Sequence, residues 1–69
     1  MDKRKNRIKE VLVIQGKTQT WLADQIGRSR EVVTNYCNNN TQPSVELLFE
    51  MAEVLDIDVR DLLVSNKNI

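Results

Sequence analysis

The segment GRSREVVTNYCNNN, Gly27 to Asn40, concentrates side chains that donate and accept hydrogen bonds. If it forms a helix, the helical period divides these side chains between two faces. The inward, apolar face carries Val33, Tyr36 and Cys37. The outward face carries Arg30, Glu31, Thr34 and Asn35. These outward types recognise base edges in the major groove: Arg pairs with guanine, Asn with adenine, Glu with cytosine, and Thr with a methyl group or a polar edge. The pattern therefore predicts base contacts to double-stranded DNA from these four positions.

Several of these positions also have a plainer interpretation. Arg30, Glu31 and Asn35 could be ordinary solvated side chains, with a local Arg–Glu pair. Arg28 fits a phosphate contact and plain solvation equally well. Val32 could touch a thymine methyl group or cover the edge of the core.

Two single residues are open to more than one interpretation as well. The only tryptophan, Trp21, could pack under the N-terminal segment or lie over a phosphate with its indole N–H as donor. Cys37 is best interpreted as a small core residue, because no base or second thiol accompanies it.

Composition excludes several functional classes. The 69 residues include one cysteine and no histidine, so an internal disulfide and a metal site of the usual ligands are not expected. A glycine-rich phosphate loop is also missing, and we predict no enzyme activity, no catalytic residues and no cofactor. The sequence has neither an apolar run of membrane-spanning length nor a signal-peptide core, so a cytoplasmic protein without membrane contact is expected.

The zero net charge conceals two halves of opposite charge. Residues 1–30 contain eight basic and three acidic residues, a net charge of +5, whereas residues 31–69 contain two basic and seven acidic residues, a net charge of −5. The first half is expected to attract polyanions and the second to repel them. Two solvated faces remain the alternative interpretation.

Hydrophobic periodicity predicts an all-α protein of five short helices in one domain, residues 1–69. The first helix carries an apolar set at Ile8, Val11, Leu12 and Ile14, and ends at Gly16. Expected N-caps of the other four are Thr18, Ser29, Ser44 and Asp58. Asn39 or Asn40 is expected to end the third helix in a left-handed conformation, because Asn tolerates positive φ. The fourth helix has its apolar face at Leu47, Leu48, Met51, Ala52 and Leu55, and the fifth at Val59, Leu62 and Leu63.

The second and third helices, separated by IGRS, have the spacing of a helix-turn-helix over about residues 18–39. Gly27 permits the turn, and Ala23 is small enough for close approach of the two helices. Together with RIKEVL, GKTQTWLADQIG, SREVVTNYCNN and QPSVELLFEMAEVLDIDVRDLL, in that order, this spacing resembles the phage repressor and Cro-like family of helix-turn-helix DNA-binding domains.

The resemblance, which covers about residues 6–64, implies a sequence-specific transcription regulator, most often a repressor. Its third helix would enter the major groove, and two copies would bind a near-palindromic operator. By position it implies that Gln19 and Asn38 contact phosphate. The sequence leaves open the operator, the regulated gene, the sign of regulation, and whether residues 1–69 are a complete protein or a fragment.

The chain departs from the family pattern at both ends of this region. Asn39 replaces the usual glycine, while Asn40 and Thr41 replace residues that are often basic. An N-terminal arm could supply phosphate contacts instead, through Lys3, Arg4, Lys5 and Arg7. Leu12, Val13 and Ile14 stand where the family is commonly charged, which indicates either a thicker core or an exposed contact surface.

Self-association is expected because one short recognition helix covers few base pairs. The predicted homodimer interface is the C-terminal apolar set Leu62, Leu63 and Val64, with Leu12 and Val13 of the first helix as the alternative. A protein-interaction module on the same fold, such as an antitoxin, is the competing function. It would bind a partner protein through the first helix or through the acidic half, which includes Glu46, Glu50 and Glu53.

Overall fold

The computed structural model describes residues 4–66, which fold into four α-helices and a short 3-10 helix. The α-helices are α1 (Ile8–Gln15), α2 (Gln19–Ile26), α3 (Arg30–Cys37) and α4 (Val45–Leu55), and the 3-10 helix is Val59–Leu62. The predicted all-α helix-turn-helix fold is confirmed. Within residues 4–66, β pairing is limited to an isolated antiparallel bridge between Asn6 and Leu63. No helix in this part of the chain is long and apolar enough to cross a membrane.

Side-chain caps fix the starts of three α-helices at the predicted residues. Thr18 accepts a hydrogen bond from the Trp21 nitrogen at 2.9 Å, Ser29 from Val32 at 3.2 Å, and Ser44 from Leu47 at 3.1 Å. Each cap satisfies a backbone N–H that has no partner within its helix, and typically stabilises the fold by about 1 kcal/mol. The helix boundaries therefore follow from local chemistry.

The fifth helix is shorter and tighter than the sequence pattern indicated. Asp58 caps it as predicted, accepting from the Arg60 nitrogen at 2.8 Å, but the Leu63 nitrogen already donates to the Arg60 carbonyl in a 3-10 pattern. The chain then becomes extended and pairs with the segment that precedes α1. The nitrogen of Arg7 donates to the Leu62 carbonyl at 2.8 Å, and the nitrogen of Val64 donates to the Lys5 carbonyl at 2.9 Å. This pairing leaves no room for another helical turn.

One core joins all the helices. Its buried apolar residues are Ile8, Val11, Leu12, Leu22, Ala23, Ile26, Val33, Cys37, Leu47, Leu48, Met51, Ala52, Leu55 and Leu62. The sequence left open whether the apolar end of α1 lies in the core or at the surface, and the structure shows both. Leu12 is buried in the core, whereas Val13 and Ile14 are 71% and 77% exposed. Of the predicted apolar set of α1, Ile8, Val11 and Leu12 are therefore in the core, whereas Ile14 at the last turn is not.

Candidate nucleic-acid interface

The turn between α2 and α3 fixes the angle at which α3 leaves the domain. Gly27 adopts a left-handed conformation with φ of 67°, and the space around it would hold a Cβ without contact. Glycine is therefore favoured by the backbone angle rather than by crowding. The buried Ala23 accepts hydrogen bonds on its carbonyl from the nitrogens of Gly27 and Arg28, which closes the end of α2.

The inward face of α3 is anchored in the core as the period predicted. Val33 is fully buried and Cys37 is buried, whereas Tyr36 is half-buried and packs against the core edge. Val32 is also half-buried. Because α3 is held from behind by these side chains, its opposite face projects from the protein surface on a rigid support.

The four predicted base-contacting residues all lie on α3 and are all at least partly accessible. Arg30 and Glu31 are exposed, while Thr34 and Asn35 are half-buried. The Thr34 hydroxyl donates to the Gln19 Oε1 at 2.7 Å, which couples the start of α2 to the middle of α3 and leaves the Gln19 amide nitrogen as a donor. The Asn35 Oδ1 accepts a long contact of 3.4 Å from Asn40.

The predicted phosphate-contacting residues fall into two groups. Gln19, Arg28 and Asn38 flank α3: Gln19 through Thr34, Arg28 in the turn, and Asn38 at the C-cap. Arg4 and Lys5 are exposed on the segment before α1, and Arg4 pairs with Glu10 at 3.4 Å. Such an exposed ion pair contributes little to stability and can be exchanged for a phosphate. Lys3 lies outside the described residues.

A basic recess adjoins α3 and includes two lysines that the sequence interpretation did not single out. It has a volume of about 570 Å³ and brings the side of α1, the start of α2 and the start of α3 together. Its lining includes Lys9, Lys17, Gln19, Thr20 and Arg30. The positive end of the α2 dipole lies at the same place, so it adds to the positive charge of the lysines. The charge excess of residues 1–30 was the available signal, but it did not indicate which lysines meet.

Trp21 is half-buried and packs against the edge of the core, and its predicted position under the N-terminal segment stays a prediction. The Lys17 ammonium lies 4.7 Å from the centroid of its ring, a cation–π distance. This contact favours positions of the Lys17 ammonium along the basic recess.

Cys37 is a structural thiol. Burial raises its pKa to about 11, an effect that nearby Lys9 opposes and Glu10 reinforces. The thiol therefore remains protonated at neutral pH and forms part of the core that supports α3.

A buried amide that the sequence interpretation missed joins α3 to the N-terminal segment. Asn6 is 1% exposed. Its Nδ2 donates to the Tyr36 carbonyl at 2.9 Å and to the Gln42 Oε1 at 2.7 Å. Its Oδ1 accepts from the Ile8 nitrogen at 3.1 Å, and so supplies the cap that the side chain of Arg7 does not provide at the start of α1.

The predicted C-terminal dimer surface needs a correction at Leu62. This side chain is fully buried in the protein's own core, so it is not available to a second copy. Leu63 is 42% exposed and Val64 is half-buried. The alternative dimer surface on α1 also loses one of its two residues, because Leu12 is buried and only Val13 is exposed. Phe49 is also exposed, and it lines a shallow pocket with a volume of about 420 Å³.

Several solved structures of DNA-binding and regulatory proteins are similar to this chain in fold and sequence. A proposed DNA-binding protein from Bacteroides fragilis is 42% identical, with a TM-score of 0.84, and the match covers 86% of this chain and 95% of that one. The restriction-modification controller protein C.AhdI from Aeromonas hydrophila is 27% identical, with a TM-score of 0.73 and coverage of 80% and 83%. The N-terminal DNA-binding domain of SinR from Bacillus subtilis is 27% identical, with a TM-score of 0.72 and coverage of 90% and 91%.

SinR, described as the master regulator for biofilm formation, has also been solved in complex with DNA. That structure is 29% identical to this chain, with a TM-score of 0.69 and coverage of 78% and 87%. No curated protein sequence matches the chain. The family model described as Helix-turn-helix matches residues 8–62, which include all four α-helices and the 3-10 helix. The chain belongs to this helix-turn-helix family of repressor and Cro-like DNA-binding regulators.

Proposed function

We propose that this protein represses transcription by binding a specific double-stranded DNA operator with α3, its recognition helix, in the major groove. One observation carries the proposal. The recognition helix is anchored by buried Val33 and Cys37, while Arg30 at its first turn is exposed and Thr34 and Asn35 are half-buried at its surface. A rigid helix with donors and acceptors on its free face is what major-groove recognition requires.

The contacts divide into base and phosphate roles. Arg30 and Asn35 are the strongest candidates for bidentate pairing with guanine and adenine. Glu31 at the exposed start of the helix would accept from cytosine or orient Arg30. Thr34 would act together with Gln19, since their 2.7 Å hydrogen bond makes one polar unit that faces both base edge and backbone.

Phosphate contacts would surround the recognition helix. Arg28 and Asn38 lie near its two ends, and Lys9 and Lys17 of the basic recess lie beside its first turn. Arg4, Lys5 and the more N-terminal Lys3 would add charge through the N-terminal segment. These contacts set register and orientation but do not select sequence.

Two copies would bind a near-palindrome with half-site centres about 34 Å apart, one helical turn of DNA. The homodimer surface that we favour is Leu63 with Val64, because both lie beyond the core at the C-terminal end. Val13 and Ile14 of α1 and Val45 and Phe49 of α4 are also exposed apolar residues among those that the structure describes.

Selection of bound duplexes from a random pool, followed by affinity measurement on the variants Arg30→Ala and Asn35→Ala, tests the proposal. Each variant is expected to lose about 1–3 kcal/mol of binding free energy and to relax preference at one base pair. Arg60→Ala is the matched control, since it removes the same charge from an exposed arginine on the 3-10 helix. If both α3 variants bound the selected operator as tightly as Arg60→Ala does, the assignment of α3 would be wrong.

A further inference from the structure

Side-chain amides hold the N-terminal segment to the end of the recognition helix. The Asn39 Oδ1 accepts hydrogen bonds from the main-chain nitrogens of Lys5 at 2.9 Å and Asn6 at 3.0 Å, and from the Gln42 amide at 3.1 Å. Its Nδ2 donates to the Asn6 carbonyl at 3.3 Å. We infer that Asn39 is a positioning residue that fixes Arg4 and Lys5 beside α3, so that these cations and the recognition helix meet DNA as one unit.

The same segment is held on its other side by the C-terminal residues. The Lys5 carbonyl accepts from the Val64 nitrogen at 2.9 Å, and the Arg7 nitrogen donates to the Leu62 carbonyl at 2.8 Å. The peptide groups around Lys5 are thus fixed from two directions, while its side chain is exposed. Preorganisation of this kind lowers the entropy that a contact loses when it forms.

The position suits a phosphate contact. The eight residues of α3 span about 12 Å, which is close to the about 12 Å width of the major groove. A helix of this length in the groove brings its last turn near the backbone that borders the groove. Asn39 lies two residues beyond the end of α3. Because the main chain of Lys5 is hydrogen-bonded to Asn39, the Lys5 side chain starts close to that border.

The backbone and side-chain roles of Asn39 can be separated by one substitution. Its φ of 59° is left-handed, a conformation that glycine adopts without steric cost. Asn39→Gly therefore keeps the chain reversal and removes the amide. The bond between Asn6 and Gln42 at 2.7 Å does not involve Asn39, and the C-terminal pairing also persists.

Because this role rests on the proposed function, the experiment measures DNA binding and the amide contact separately. A double-mutant cycle combines Asn39→Gly with Lys5→Ala, and fluorescence anisotropy follows binding to a labelled random-sequence duplex at several salt concentrations. Lys5→Ala alone is expected to reduce the magnitude of the negative slope of log K against log salt by about 0.9. If the two proteins bind equally at about 1 M salt, this change weakens binding about eightfold near 0.1 M. In the Asn39→Gly background, the same change is expected to have a smaller effect, because the Lys5 peptide is then held only from the side of Val64.

Hydrogen exchange supplies the second readout. The Lys5 amide is expected to lose protection in Asn39→Gly, while the Val33 amide in α3 keeps it. An additive cycle in a parent that binds DNA, or a Lys5 amide that stays protected in Asn39→Gly, would overturn the positioning role alone. A parent protein without salt-dependent DNA binding would overturn the proposed function, and the positioning role with it.

Discussion

Replacement of the buried amide in Asn6→Ala tests how the N-terminal segment, α1 and α3 are joined. The substitution removes three hydrogen bonds, to Ile8, Tyr36 and Gln42. The three partners differ in how well each lost hydrogen bond can be replaced. The Tyr36 carbonyl still accepts from the Asn39 nitrogen at 3.0 Å, and Gln42 is exposed to water. The nitrogen of buried Ile8 loses its acceptor without replacement.

These differences set the magnitude. An unsatisfied buried donor costs about 1–3 kcal/mol, and each of the other two hydrogen bonds contributes about 0.5–1 kcal/mol when water or a second partner compensates in part. We therefore expect Asn6→Ala to lower the free energy of unfolding by about 2–5 kcal/mol. A chain of 69 residues is stable by only about 3–10 kcal/mol, so this loss is a large share.

Urea unfolding followed by circular dichroism measures the loss, and the expected fall in Tm is about 10 °C or more. Asn40→Ala is the matched control, because Asn40 is exposed and its side chain makes one long contact at 3.4 Å. It is expected to change stability by less than about 0.5 kcal/mol. If Asn6→Ala were as stable as Asn40→Ala, the inferred contribution of this junction to stability would be refuted.

Three further outcomes are expected. The stability of the folded protein is expected to fall as pH rises from about 9 toward 11, because the thiol of Cys37 ionises first in the unfolded chain; Cys37→Ala should lose this component, and an identical pH profile would contradict it. Replacement of Lys9 and Lys17 by alanine should weaken selected and random duplexes alike and lower the salt slope by about 0.9 per lost phosphate contact, whereas a loss confined to one sequence would indicate base reading. Leu63→Asp should abolish self-association in sedimentation and cooperative occupancy of the two half-sites without loss of helicity, and a persistent dimer would exclude this surface in favour of Phe49 or Val13.

Features set by local chemistry were predictable from the sequence. The caps at Thr18, Ser29 and Ser44 depend on a hydroxyl near a backbone N–H three residues later, so the sequence alone specifies them. The left-handed end after α3 was predicted for the same reason, since Asn is one of few residues that tolerate it. The outward and inward faces of α3 also follow from a period of 3.6 residues.

Features set by pairing of distant segments were not predictable in this way. Asn6 contacts Tyr36 and Gln42 across 30 and 36 residues, and no local pattern marks a polar residue as buried. Leu62 and Leu63 are identical neighbouring residues in an apolar run, so the sequence does not indicate which of them is buried. The bridge between Asn6 and Leu63 turns the chain into an extended conformation there, which leaves Leu62 in the core and Leu63 at the surface.

At the end of α3, the three departures of this chain from the family pattern, at Asn39, Asn40 and Thr41, can be explained together. Asn40 and Thr41 occupy positions where the family often has basic residues, so positive charge is missing from the loop itself. Asn39, in place of the usual glycine, keeps the left-handed backbone and adds an amide that binds the main chain of Lys5. Under the proposed positioning role, a cation from a segment 34 residues away in sequence takes the place of the charge that the loop lacks. A glycine at position 39 could make the turn but could not hold that cation, which is why the asparagine matters most when the loop carries no charge of its own.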